Sequence, residues 1–205
     1  TYTNDISQTN VVVVPIDDVP PVITNAEIVS VGATEAQALN NLGILAFYER
    51  DFAEAVARHQ QALEIRRTIG DRSGEGASLL NLAQATRDAG EYDRAHLYLS
   101  KALAILQAIG DRWVEGSAWN DMGVLHLLTG DLQAAQTCLQ RGLALSKEIK
   151  DQSGEAYVLC NLGQVLRDAG DLASAERALA DGLALAEAQN DRHLLSLCLS
   201  HLANI

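Results

Sequence analysis

The chain repeats itself every 40 residues. Gly70-Asp71-Arg72 and Glu75 return as Gly110-Asp111-Arg112 and Glu115, then in part as Asp151 and Glu155, and finally as Asp191-Arg192. A second signature keeps the same spacing: Asn41-Leu42-Gly43, Asn81-Leu82-Ala83, Asp121-Met122-Gly123, Asn161-Leu162-Gly163 and His201-Leu202-Ala203. A fixed period of this size builds a solenoid, because one unit cannot bury its apolar face alone and its stacked neighbours supply the core. Such a stack offers long surfaces rather than a closed catalytic centre, so the period points to binding.

Each unit reads as a helical hairpin. In the first, residues 36–49 place Leu39, Leu42, Gly43 and Ala46 on one face, and residues 52–69 do the same with Ala55, Val56, His59, Ala62 and Leu63. Gly90-Glu91, Gly130-Asp131 and Gly170-Asp171 mark the turn within a unit. Asp71, Asp111, Asp151 and Asp191 stand where a carboxylate caps the next helix. The units are 30–69, 70–109, 110–149 and 150–189, with a half unit at 190–205. Residues 1–29 differ sharply: they hold all three prolines (Pro15, Pro20, Pro21), no Lys, no Arg and no Gly. Fixed φ at proline and the β-branched run Val11–Val14 make this segment an extended, non-helical arm or linker.

Small residues recur where two helices must cross closely. Gly43, Ala83, Gly123, Gly163 and Ala203 share one position of the first helix, and Ala55, Ala95, Ala135 and Ala175 face them from the second. His59, Leu99, Leu139 and Leu179 take the large position that follows. This pattern resembles the tetratricopeptide repeat, in a 40-residue variant. The variant is similar to the repeats of Pins-type scaffolds and to the sensor arms of bacterial signal-transduction ATPases and maltose-activator-type regulators. The resemblance covers residues 30–205 and implies an all-α, right-handed superhelical solenoid of antiparallel helix hairpins. It implies a protein-interaction scaffold that takes an extended peptide in its concave groove, as part of a larger signalling or regulatory protein. A ligand-sensing arm is the alternative. The second asparagine of the Pins-type pattern is replaced by Ile44, Gln84, Val124 and Gln164, and only Asn204 matches it.

In repeats of this type the first helices line the groove. Counting from the signature gives Gln37, Asn40, Ile44, Phe47 and Tyr48 in unit one, and Ala77, Leu80, Gln84, Arg87 and Asp88 in unit two. Unit three gives Ser117, Asn120, Val124, Leu127 and Leu128, and unit four gives Tyr157, Cys160, Gln164, Arg167 and Asp168. The even units are polar here and the odd units apolar, so a peptide with apolar side chains and separated acids, meeting Arg87 and Arg167, is the expected ligand. Trp113, in a connector, is the better surface anchor, and Trp119 reads as core.

Composition narrows the partners. A net charge of -12 with scattered basic residues argues against phosphate-backbone binding. No stretch approaches the roughly 18 apolar residues of a membrane span. Cys138, Cys160 and Cys198 are an odd set without metal-ligand spacing, read as reduced thiols of a cytoplasmic protein. Nothing in the five histidines has ligand spacing, and no nucleophile or phosphate-loop motif occurs, so no metal, cofactor or enzymatic activity is expected. The chain begins at Thr1 and stops within a repeat, as a piece of a larger protein would. Leu194, Leu195, Leu197, Leu199 and Leu202 form a half repeat without its partner helix, an expected point of self-association. The arm from Ile6 to Val22, apolar and acidic, is expected to lie along the groove.

Overall fold

The computed structural model describes residues 2–6, 9–13 and 25–203. Among them are two strands, β1 (Tyr2–Ile6) and β2 (Thr9–Val13), and a run of helices. These are α1 (Asn25–Tyr48), α2 (Phe52–Thr68), α3 (Arg72–Asp88), α4 (Tyr92–Ile109), α5 (Arg112–Leu128), α6 (Leu132–Ile149), α7 (Gln152–Asp168), α8 (Leu172–Gln189) and α9 (Arg192–Leu202). The strands pair antiparallel, Tyr2 opposite Val13 and Ile6 opposite Thr9. The N-terminal segment is therefore extended as read, but folded back on itself. Helix α1 begins at Asn25, so residues 25–29 are helical where composition had assigned them to the arm. The last proline is Pro21, and nothing in residues 25–29 opposes a helix. The remainder of the Ile6–Val22 arm, with Pro15, Pro20 and Pro21, lies outside the described residues.

Turns of two or three residues join the helices, which makes neighbours antiparallel. First helices touch each other along the stack, α1 to α3, α3 to α5, α5 to α7 and α7 to α9, whereas no contact joins α2 to α4 or α4 to α6. The first helices thus form the inner, crowded side of a curved stack, and the second helices form the outer, splayed side.

Local chemistry explains each junction. Asp51, Asp71, Asp111, Asp131, Asp151, Asp171 and Asp191 each accept the backbone N–H three residues on, at 2.9 to 3.2 Å. A cap of this kind contributes about 1 kcal/mol. Every turn from Arg50 onward also needs a left-handed residue. Gly70, Gly90, Gly110, Gly130 and Gly170 supply it with φ of 72 to 85°, and Arg50, Lys150 and Asn190 adopt it without being glycine. In the connector, buried Glu75 binds Arg67 (2.8 Å) and Arg72 (2.5 Å), while buried Glu115 binds Arg112 (3.0 Å) and Gln107 (3.1 Å). The connector acids are structural: they tie the start of one unit to the second helix of the previous one.

The core is built on the small-residue crossing. A Cβ added to Gly43 would sit 2.6 Å from the His59 ring, one added to Gly123 would sit 2.6 Å from Leu139, and one added to Gly163 would collide with Leu179. Ala55, Ala95, Ala135 and Ala175 are fully buried on the facing helices. One sequence expectation needs correction. Cys160 of α7 and Cys198 of α9 form a disulfide, with Cα atoms 5.4 Å apart, leaving buried Cys138 as the free thiol. The pairing was hidden in the sequence because the two cysteines, 38 residues apart, hold different repeat positions of two successive units.

Candidate functional site

The inner face carries a ladder of amide hydrogen bonds between successive first helices. Asn81 Nδ2 donates to Asn40 Oδ1 (2.6 Å), Gln84 Nε2 donates to Asp121 Oδ2 (2.9 Å), and Asn161 Nδ2 donates to Asn120 Oδ1 (2.8 Å). The links alternate because the groove sequence has a two-unit period: Asn40, Asn81, Gln84, Arg87 and Asp88 return as Asn120, Asn161, Gln164, Arg167 and Asp168. The signature asparagine, which the repeat pattern alone could not explain, is the residue that stitches α3 to α1 and α7 to α5.

At the centre of this face a cleft of about 450 Å³ opens between α3, α5 and α7. Its floor and walls are Ala77, Leu80, Asn81 and Gln84 of α3, Trp113, Ser117, Asn120 and Asp121 of α5, and Tyr157 and Val158 of α7. The space follows from one repeat position. Arg66 fills it at the first junction, where its guanidinium donates to Gly74 O (2.9 Å) and Ser78 Oγ (2.8 Å). Leu106 fills it at the second, in contact with Gly76. At the third junction the equivalent residue is Ser146, whose short side chain leaves the cleft open.

Asp121 is the unusual group. It stands where units one, two and four carry Asn41, Asn81 and Asn161, and it is only 8% exposed. Burial pushes its carboxyl above the usual range, while the nearby Arg87 charge and hydrogen bonds from Gln84 and Asn120 pull it back. Arg87 itself is committed elsewhere: its Nε donates to Asp88 Oδ1 at 2.8 Å, and Arg167 repeats this with Asp168 at 2.9 Å.

Of the groove residues expected from sequence, Ala77, Leu80, Gln84, Ser117, Asn120 and Tyr157 come together in the cleft. Asn40 is buried in the ladder, and Gln37 bonds Asn41 (2.9 Å) and Arg66 (3.4 Å). Phe47 packs against Tyr48 and Phe52 at the far end, with Tyr48 and Ile44 exposed. Val124, Leu127, Gln164, Arg167 and Asp168 do not line the cleft, and Cys160 is consumed by its disulfide. Trp113 is 62% exposed at the cleft, whereas Trp119, read as core, is half-buried against the core with the Arg141 guanidinium 4.7 Å from its ring centre. Sequence reasoning passed over Asp121 and Ser146. Each was visible as the odd member of its column.

Among the described residues no three His, Cys, Asp or Glu side chains gather as metal ligands, and no helix is long and apolar enough to cross a membrane. On α9, Leu194 is buried, Leu195, Leu197 and Leu202 are partly covered, and Leu199 is exposed.

Comparison with known proteins agrees with this architecture. No curated protein sequence matches the chain. Among solved structures, BtubC (BKLC) from P. vanneervenii superposes with a TM-score of 0.66 at 24% identity, over 77% of this chain and 65% of that one. Aspartyl phosphate phosphatase F from Bacillus subtilis gives 0.76 at 16% identity, over 85% and 46%. A Rap conjugation gene regulator of the plasmid pLS20, in complex with the Phr* peptide, gives 0.76 at 18%, over 83% and 47%. The chain thus spans about half to two thirds of the length of these proteins. The tetratricopeptide repeat model matches residues 34–108 and 115–188, each match taking in two units of the two-unit groove period. By its sequence pattern and its stacked hairpins, this chain belongs to the tetratricopeptide repeat family.

Proposed function

We propose that the chain is a protein-interaction module that holds an extended peptide along the inner faces of α1, α3, α5 and α7, within a larger signalling or regulatory protein. The cleft between α3, α5 and α7 carries this reading, because it is the place where the ladder of first helices opens into a concave space with both apolar and polar walls. A Phr* peptide bound to a neighbour of the same fold supports it. The groove residues read from sequence, from Gln37 and Ile44 at one end to Arg167 and Asp168 at the other, form the track on either side.

The test is a positional-scanning heptapeptide library offered to the purified chain, with Trp113 fluorescence as the readout. Selected peptides are expected to perturb Trp113 and to lose at least ten-fold in affinity with Leu80→Glu. A library without binders contradicts the reading. The cleft volume also suits a small molecule, so a metabolite panel run in parallel decides between a peptide groove and a ligand-sensing arm. Self-association through α9, where Leu199 is exposed, belongs to the same reading, and light scattering over a concentration series tests it.

A further inference from the structure

We propose that the cleft between α3, α5 and α7 selects a basic side chain, a lysine or arginine, of the bound peptide and seats its charge against Asp121. The inference rests on the peptide-groove reading and reverses the ligand charge expected from Arg87 and Arg167. Those two cations are each paired with the aspartate that follows them. What remains at the centre of the groove is acidic: the charged side chains lining the cleft are Asp121 and Asp151, and no Lys or Arg lines it.

Three observations converge on this site. The first is shape. Ser146 leaves open the volume that Arg66 and Leu106 occupy at the other junctions, so the chain has a hole where its own repeat would place a long side chain. At the first junction that hole is filled by an arginine of this same chain, whose guanidinium bonds Gly74 O and Ser78 Oγ. A guanidinium inserted from a ligand at the third junction would copy an arrangement the fold already uses once.

The second is charge. Asp121 is a carboxylate in a column of asparagines, more than nine-tenths buried, with a neutral amide of Gln84 as its 2.9 Å donor. Burial raises its pKa, and the nearby Arg87 charge, itself shared with Asp88, offsets only part of that cost. An ammonium or guanidinium group arriving in the cleft supplies a further countercharge. Asp151 bonds the Gly154 N–H at 2.9 Å as the cap of α7 and adds a second negative charge at the wall.

The third is the rim. Trp113, largely exposed, and Tyr157 flank the opening from α5 and α7. Aromatic faces at the mouth of an acidic cleft suit the aliphatic stem and the cationic head of lysine or arginine.

The experiment uses the positional-scanning heptapeptide library described above. Arginine or lysine is expected to be enriched at one position, and in the best sequence its replacement by citrulline or norleucine is expected to weaken binding at least ten-fold. Asp121→Asn restores the residue found at this position in the other full units, so the fold is expected to be kept, checked by its helical circular dichroism and melting. In this variant the preference for the basic residue over citrulline is expected to vanish. Ser146→Leu, which refills the space as Leu106 does, is expected to abolish binding of the basic peptide while sparing the fold. If peptides bind the wild type with no preference for a basic residue, or with the same preference after Asp121→Asn, the inference fails while the peptide groove stands. If no peptide binds, both fail.

Discussion

The first unit and the three that follow share a pattern but not an interior. In units two to four the crossing point holds Leu99, Leu139 and Leu179, all buried among apolar neighbours. In unit one it holds His59, whose buried Nδ1 has no hydrogen-bond partner and whose pKa is lowered to about 4 by burial and then by Arg66. The outer faces differ as well. Leu82 and Leu125 are covered by the preceding unit, whereas the equivalent Leu42 and Leu45 of α1 are 50% and 54% exposed. A repeat family fixes the path of the chain, and each copy's position in the stack then decides how much of the common face becomes core. The first unit holds its shape with less apolar burial and an uncompensated polar group.

The largest expected effect tests that difference directly. Leu82→Ala is expected to cost about 2 to 5 kcal/mol and Leu42→Ala less than about 1 kcal/mol, measured by urea unfolding. Equal losses would mean that α1 is covered in solution as the inner helices are. The histidine comes next. Its folded pKa lies below the unfolded value near 6.5, so the unfolded chain binds the extra proton between about pH 6.5 and 4. Stability is therefore full above that window and falls with acidification, by up to roughly 1.4 kcal/mol per pH unit. His59→Leu is expected to remove its share of this slope, leaving the part from His201, whose pKa burial also lowers, and Leu99→His to add a like share in unit two. A wild-type stability that is flat from pH 7 to 4.5 contradicts the assignment.

Much of this molecule is readable before folding because its signals are local and repeated. The hairpins, the aspartate caps and the small-residue crossings each depend on residues a turn or a helix apart, and the period presents each several times. The site was harder to see. Gln84, Asn120 and Tyr157 were reachable by counting along the first helix, but the cleft exists because Ser146, on a second helix, is shorter than Arg66 and Leu106. That is a difference between copies, and averaging over copies conceals it. Arg87 and Arg167, expected by the same count to meet acids of a ligand, each pair with the aspartate that follows. The Cys160–Cys198 bond was missed for a related reason, since period counting places Cys160 opposite Ser200 rather than Cys198.

Two smaller effects sharpen the comparison. Ala135→Leu, at a fully buried crossing, is expected to destabilise by about 1 to 3 kcal/mol through overpacking, and a neutral result would undo the crossing geometry. Lys150 and Arg50 hold left-handed backbone where other turns have glycine. Lys150→Gly is expected to stabilise by up to about 1 kcal/mol, read as a rise in melting temperature, and a loss would show that the Lys150 side chain contributes more than its backbone costs.

The central claim is that the inner face at α3, α5 and α7 is where this protein meets its partner. Hydrogen exchange with and without a library-selected peptide measures it most directly. The account predicts slowed exchange in α3, α5 and α7, centred on the helical turns around Gln84, Asp121 and Tyr157, with α4 and α6 unchanged. Protection confined to the outer helices, or to the exposed face of α1, would contradict it.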